Sequence, residues 1–241
     1  MTGSWFIGSK KFIDWKNSPN SFLWLHGIPG CGKTILSSTI IEEALKHCGL
    51  NLSVGVTPTP LPMRVVVYFY FDFTDNQKRI QENMIRSSIK QLSQNLPYTS
   101  VVLESLFSSC TNGNRQPTIE ALRKILVEMI KEFEQVFLIL DALDECKDRQ
   151  ELIKSINEIT RSDLPMLHVL TTSRMERDIE DGLSNLTDEQ KIYIQSDFVQ
   201  ADIRDYIYAR LQTDTKLWRL QRDHQDQQAI VDTMMKKADG M

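Results

Sequence analysis

The chain has 241 residues, 41% hydrophobic and 25% charged. That is an ordinary globular composition, long enough for one large α/β domain or one domain with a smaller appendage. A formal net charge of −4 gives no basic excess, so nucleic acid is not an expected partner.

Residues 1–20 carry Trp5, Phe6, Phe12, Ile13 and Trp15. Phe12, Trp15 and Lys16 suit a short amphipathic helix ending before Ser18 and Pro19. The segment reads as a helix packed beside the first strand; a second reading places it near a nucleotide base.

An apolar run at 22–26 predicts the first strand, and it leads into Gly27, Ile28, Pro29, Gly30, Cys31, Gly32, Lys33 and Thr34. This is the spacing G-x-x-x-x-G-K-T, followed from Ile35 by a helix-periodic segment to residue 47. Strand, glycine-rich loop and helix occur in the order of a phosphate-binding loop. Glycines let successive N–H groups turn onto phosphate oxygens, and the helix aims the positive end of its dipole at the same anion. Lys33 would reach the β- and γ-phosphates and Thr34 would ligate Mg²⁺. The alternative is a glycine-rich turn with no ligand. Leu36, Ile40, Ala44 and Leu45 are the expected inward positions of the helix, with Gly49 at its C-terminal end.

Residues 49–63, with Pro58, Pro60 and Pro62, read as a surface connector. The run at 65–71 is continuously apolar and aromatic, which predicts a strand buried on both faces of a parallel sheet. Asp72 and Asp75 follow at its carboxyl end, where open α/β sheets bind ligands, and a loop-capping role is expected for both. Helices are expected at 79–94 (Ile80, Met84, Ile85, Ile89 and Leu92 on one side), around 101–107, and at 118–133, the last opened by Pro117.

Residues 135–146, QVFLILDALDEC, form the second informative stretch. Five apolar residues predict a buried strand that ends on Asp141, the form of a Walker B element whose aspartate holds Mg²⁺ directly or through water. Asp144 and Glu145 come within the next turn, where an acid can orient or deprotonate an attacking water. An acidic strand-to-helix turn without chemistry is the alternative; a phosphate loop about 100 residues upstream argues against it. A helix at 149–159 and a short strand at 166–170 follow. The strand leads into Thr171, Thr172, Ser173 and Arg174, an arginine that either senses a γ-phosphate or lies in a surface turn. Residues 191–194 form a last strand. From 198 onward only helices are expected: a stripe of Val199, Ile203, Tyr206, Ile207 and Leu211, a short element with Trp218 and Leu220, and a third helix with Ile230, Val231, Met234 and Ala238. The division is a packing helix at 1–20, a nucleotide-binding domain at 21–196 and the start of a helical subdomain at 197–241.

Cys31, Cys48, Cys110 and Cys146 lack C-x-x-C spacing, and no signal-peptide pattern precedes them, so reduced thiols in the cytoplasm are expected. The longest apolar runs are far too short to span a bilayer. His26, His47, His168 and His224 have no metal-ligand spacing; core, surface or strand-end roles are expected.

WLHGIPGCGKT (24–34), LDALDE (140–145) and LTTSR (170–174) together resemble a NACHT-type STAND NTPase, of the fungal NACHT or nephrocystin-like N-terminal group. YFYFDF (68–73), VQADIRDYI (199–207) and KADGM (237–241) are similar to the same group. The resemblance implies a P-loop NTPase three-layer α/β sandwich with a parallel sheet in the order 5-1-4-3-2. It implies Lys33 on phosphate, Thr34 and Asp141 on Mg²⁺, Arg174 as the sensor arginine, and loop residues Gly27 to Ile35 around the nucleotide. Members bind ATP or GTP, with ADP or GDP in the resting state, and act as slow switches. Their partners are effector domains and C-terminal repeats of a longer chain, and exchange releases an oligomerising form; many serve self/non-self recognition and cell death. Ala142 stands where many related ATPases carry a catalytic glutamate, which leaves Asp144 and Glu145 as candidate bases. The chain is then expected to be an excised core, with further helical and winged-helix parts beyond residue 241.

Two further readings compete with a hydrolysing switch. One is a protein-interaction scaffold stabilised by nucleotide without turnover. The other is a small-molecule kinase, which the acids at 141–145 and the helical tail fit less well.

Overall fold

The computed structural model describes residues 3–49, 63–111, 113–194, 196–213 and 224–238. Helices α1 (Ser4–Ile7) and α2 (Lys10–Asn17) precede strand β1 (Ser21–His26), and α3 (Lys33–His47) follows it. Then come β2 (Arg64–Tyr70), α4 (Gln81–Asn95), α5 (Val101–Ser109), α6 (Ile119–Ile130), β3 (Gln135–Asp141) and α7 (Arg149–Thr160). The remainder is β4 (Leu167–Ser173), α8 (Arg177–Gly182), β5 (Lys191–Tyr193), α9 (Ser196–Thr213) and α10 (His224–Ala238).

The strands form one parallel sheet in the order β2-β3-β4-β1-β5. Read from the other edge, this is the order 5-1-4-3-2 that the resemblance implied. Side-chain alternation along each strand divides the core between the two faces. Trp24, Val65, Val67, Val136, Leu138, Leu140 and Val169 pack under α4, α6, α7 and α8. Leu23, Leu25, Val66, Phe137, Ile139 and Leu170 pack under α1, α2 and α3. The result is a three-layer α/β sandwich of P-loop NTPase type.

The N-terminal segment belongs to the second face. Ser9 caps α2 by accepting from the Phe12 N–H, and Trp15 Nε1 donates to the Val169 carbonyl at 2.8 Å. His168 lies at the opposite edge of the sheet from the phosphate loop, stacked on Phe137 with ring centroids 4.9 Å apart. Burial lowers its pKa, against the hydrogen bond to the Trp15 carbonyl. It is a core histidine.

Strand β2 departs from the expectation of burial on both faces. It lies at the sheet edge, and Tyr68, Phe69 and Tyr70 are exposed or half-buried after the buried Val65, Val66 and Val67. Gln91 of α4 occupies the free edge: its Oε1 accepts the Tyr68 N–H at 3.1 Å and its Nε2 donates to the Tyr68 carbonyl at 2.9 Å. A side-chain amide thus stands where another strand would pair, which blunts the edge. Ile80, expected on the buried side of α4, is exposed before its first turn. A 3-10 turn, Asn76–Arg79, capped by the Asp75 side chain on the Gln77 N–H, delays the helix start. Asp72 is also a loop-capping residue, accepting from the Thr74 N–H and hydroxyl.

Strand β4 is longer than expected: Thr171, Thr172 and Ser173 belong to it and are fully buried. Helices α9 and α10 pack on each other through Ile207, Leu211, Val231 and Met235, a cluster separate from the two sheet faces. Most of the expected connector at 49–63, the element with Trp218 and Leu220, and residues 239–241 lie outside the described residues.

Candidate nucleotide site

The carboxyl ends of β1, β3 and β4 meet at one edge of the sheet, where open α/β folds bind ligands. The loop from Gly27 to Gly32 leaves β1 there. Gly30 (φ 77°) and Gly32 (φ 78°) adopt the left-handed conformation that favours glycine. At Gly27 the constraint is space, because a Cβ would lie 2.6 Å from Cys31 Sγ. The Gly27 N–H donates to the Ser173 carbonyl at 3.3 Å, which ties the loop to the end of β4.

Gly32 is the N-cap of α3 and offers no side-chain cap. First-turn N–H groups have no partner within a helix, so they face outward as anion donors. Lys33 Nζ donates to the Gly27 and Ile28 carbonyls at 3.0 and 2.8 Å, curled over the loop. Ile28 and Ile35 are exposed, whereas Cys31 is buried.

Asp141 is the hub of the site. It is 2% exposed and accepts three hydroxyl hydrogen bonds: Thr34 Oγ1 on Oδ2 at 2.8 Å, and Ser37 Oγ at 2.5 Å and Thr172 Oγ1 at 2.7 Å on Oδ1. The two expected Mg²⁺ ligands, Thr34 and Asp141, are therefore adjacent. Ser37 was not singled out from the sequence, and Thr172 was named only among the polar residues that end its strand. Ser37 lies three residues after Thr34, on the same helix face. Thr172 reaches Asp141 because β4 pairs with β3. Its hydroxyl oxygen also accepts the Ala142 N–H at 2.9 Å.

Among the described residues no group of three or more His, Cys, Asp and Glu side chains could hold a metal. A hydroxyl and one carboxylate are instead a donor set for Mg²⁺, which is commonly held by one or two carboxylates, substrate phosphates and water. The chemistry of the residues present fits that ion.

Ala142 has φ 58° and ψ 54° and is buried. A non-glycine residue in this conformation is strained, because its Cβ approaches the following carbonyl oxygen. A glutamate at 142 would begin from a buried, left-handed position, a physical reason for the acids to stand further along. They lie in the 3-10 turn Leu143–Glu145 and diverge from it. Asp144 turns to the segment after β4: it accepts the Arg174 N–H on Oδ1 at 2.9 Å and pairs with Arg174 Nε on Oδ2 at 3.1 Å. Arg174 itself is half-exposed, its guanidinium held on Asp144. Glu145 turns to the segment after β2, accepting the Phe73 N–H on Oε2 at 2.9 Å.

Burial pushes the Glu145 carboxyl above its ordinary value, against the Phe73 N–H and with the Asp144 and Asp72 carboxylates adding to the rise. An acid whose folded pKa is raised favours folding below its unfolded pKa, and that contribution is lost as pH rises through the folded pKa. Glu145→Gln keeps an acceptor for Phe73. It should melt higher than the parent at pH 7, the difference vanishing below about pH 4. A variant that melts lower at pH 7 would contradict this.

His26, the last residue of β1, is buried between Trp24 and Tyr193, with centroids 4.8 and 5.6 Å away. Burial lowers its pKa, Glu180 acting against and Lys191 with the shift. The four cysteines are unpaired.

This sheet order, with a glycine loop on β1 and an acid ending β3, defines a P-loop NTPase fold. The chain belongs to the family described as Nephrocystin 3, N-terminal, which residues 1–174 match. No curated protein matches it. Similar solved structures include the ORC1 protein of Aeropyrum pernix in complex with DNA, 12% identical with a TM-score of 0.48 over 80% of this chain and 50% of that one. Another is the Walker-type ATPase paby2304 of Pyrococcus abyssi, 13% identical with a TM-score of 0.48 over 88% and 59% of the two chains. The Pif1 helicase of Candida albicans is 14% identical with a TM-score of 0.35 over 78% and 40%. The chain thus spans about half the length of the structures it matches.

These matches correct one expectation. Nucleic acid was set aside as a partner because the net charge is −4, yet one similar structure is solved with DNA bound. Net charge sums the whole chain and does not describe any one surface, so that exclusion is withdrawn. No helix among the described residues is long and apolar enough to cross a membrane.

Proposed function

We propose that this chain is a Mg²⁺-dependent ATP- or GTP-binding switch of the NACHT/STAND type with slow hydrolysis, acting in the cytoplasm as the core of a larger fungal NOD-like receptor. The observation that carries the reading is the Thr34–Asp141 contact at 2.8 Å, beside a left-handed glycine loop that opens α3. In it the loop N–H groups and Lys33 bind the phosphates. Lys33 leaves the Gly27 and Ile28 carbonyls to do so. Thr34 and Asp141 hold Mg²⁺, which would neutralise phosphate charge there. Ser37 and Thr172 orient the Asp141 carboxylate. Residues 1–20, 21–196 and 197–241 are the packing segment, the nucleotide-binding domain and the start of a helical subdomain; the separate cluster between α9 and α10 supports the last boundary.

Arg174 pairs with Asp144 through Nε, which leaves its terminal guanidinium nitrogens to meet a γ-phosphate, while Asp144 stays bonded to the Arg174 N–H. Slow turnover follows, because each acid starts in another bond. The same observation favours a second reading, a scaffold that keeps its nucleotide without turnover. Steady-state phosphate release separates them. The switch predicts slow release that falls at least about tenfold in Asp144→Ala or Glu145→Ala. Release equal in both variants and the parent would remove both acids from the mechanism. A retained nucleotide with no release would favour the scaffold.

A further inference from the structure

A cavity of about 430 Å³ lies directly beside the phosphate loop. Its wall includes Gly30 and Cys31 of the loop, Ile35 of α3, Trp5 of α1, and Asp202 and Tyr206 of α9. Three distant parts of the sequence therefore enclose one space. The N-terminal side is held in place twice. The Gly3 N–H donates to Asp202 Oδ2 at 2.6 Å, and Gly3 sits so close to α3 that a Cβ there would lie 2.7 Å from Leu36.

The lining chemistry selects among ligands. Aromatic and aliphatic walls with one charged group, the Asp202 carboxylate, suit a flat heteroaromatic ring. A carboxylate repels a further phosphate, so the ring and not the anion belongs here. An ionised carboxylate accepts hydrogen bonds on about four lone-pair sites and donates none. The Gly3 N–H takes one, and the others remain for a ligand. Guanine presents two donors side by side, the N1–H and the 2-amino group. Adenine presents its 6-amino group beside a ring nitrogen whose lone pair would face the carboxylate.

We propose, resting on the nucleotide reading above, that this cavity seats the purine base of the nucleotide held by the phosphate loop, and that Asp202 selects guanine over adenine. Trp5 and Tyr206 supply ring contacts that do not distinguish the two bases. Asp202 both reads the base and ties α9 to the N-terminal segment, so the base completes a wall that neither the loop nor the sheet provides.

The test is equilibrium binding of GDP, ADP and xanthosine diphosphate to the intact chain with Mg²⁺. Xanthine replaces the 2-amino group of guanine with a carbonyl. The parent should bind GDP at least about tenfold more tightly than ADP, and should bind xanthosine diphosphate poorly. Asp202→Asn offers both a donor and an acceptor; it should lose the preference for GDP and gain about tenfold for xanthosine diphosphate. A gain of affinity cannot arise from misfolding. Trp5→Ala should weaken GDP and ADP alike. ADP binding as tight as GDP in the parent would overturn the assignment, as would an Asp202→Asn variant with unchanged ratios. If Lys33→Ala abolishes binding and no base is preferred, the Asp202 assignment alone falls. If the parent binds no nucleotide, this inference and the nucleotide reading fall together.

Discussion

Lys33→Ala should weaken binding of a Mg²⁺-nucleotide by about 100-fold or more. Two charge-assisted hydrogen bonds from Nζ to phosphate oxygens, at roughly 1.5 kcal/mol each as a lower bound, amount to about 3 kcal/mol. The cost to folding should be much smaller. The bonds that Lys33 makes to the Gly27 and Ile28 carbonyls lie at a partly exposed surface, where water can replace the ammonium. Calorimetric titration of both proteins, beside their thermal melts, separates the two effects. Equal affinity in parent and variant would remove Lys33 from the site. A variant that fails to fold would instead show that Lys33 is structural, closing the loop on its own carbonyls.

Asp141→Ala should show the opposite pattern, a large loss of stability together with loss of the metal effect. Asp141 is buried and accepts from Thr34, Ser37 and Thr172. Removing it leaves three hydroxyl donors without their acceptor at the junction of α3, β3 and β4. At about 1 kcal/mol or slightly more for each, the loss is about 3–4 kcal/mol. For a chain of this size that lowers Tm by roughly 10 °C. Asp141→Asn keeps a carbonyl acceptor and nearly the same volume, so it should cost less than half as much in stability. It lacks the carboxylate charge and should still lose the Mg²⁺ effect on binding. Chemical denaturation and nucleotide titration of the two variants test the pair. An Asp141→Ala protein as stable as the parent would contradict the three-hydroxyl account. A Mg²⁺ effect that persists in Asp141→Asn would remove the residue from the metal site.

The phosphate loop was legible because its determinants are local. Glycines at fixed spacing, a lysine and a threonine between an apolar run and a helical one suffice, and the structure places Gly30 and Gly32 at positive φ. Asp141 was legible because a buried strand ended on an acid. The partners of Asp141 were less so. Ser37 carried a weak signal in its spacing from Thr34. Thr172 carried none by itself: the implied strand order set its strand between β1 and β3, but not which of three adjacent hydroxyls turned to the carboxylate. The strand bonded on both sides, β3, and the edge strand β2 look alike as apolar runs. What distinguishes them is pairing, which arises from the whole sheet, so the exposure of Tyr68 and the role of Gln91 could not be read locally. The divergence of Asp144 and Glu145 has the same origin. Adjacent in sequence, they reach opposite neighbours of β3 because the 3-10 turn after the left-handed Ala142 directs them apart. The N-terminal segment packs as a helix beside the sheet, and its first residues also border the loop. Phe12 and Trp15 pack against the sheet, while Gly3 and Trp5 wall the cavity beside the loop.

The proposed function requires that Lys33, Thr34 and Asp141 form one site for a nucleotide and its Mg²⁺. The most direct test is titration of a nucleoside diphosphate into nucleotide-free protein, with Mg²⁺ and with EDTA, for the parent and for Asp141→Asn. One site per chain is expected, tightened by Mg²⁺ in the parent and indifferent to it in Asp141→Asn. Superimposable isotherms in all four titrations, or no binding by the parent, would contradict it.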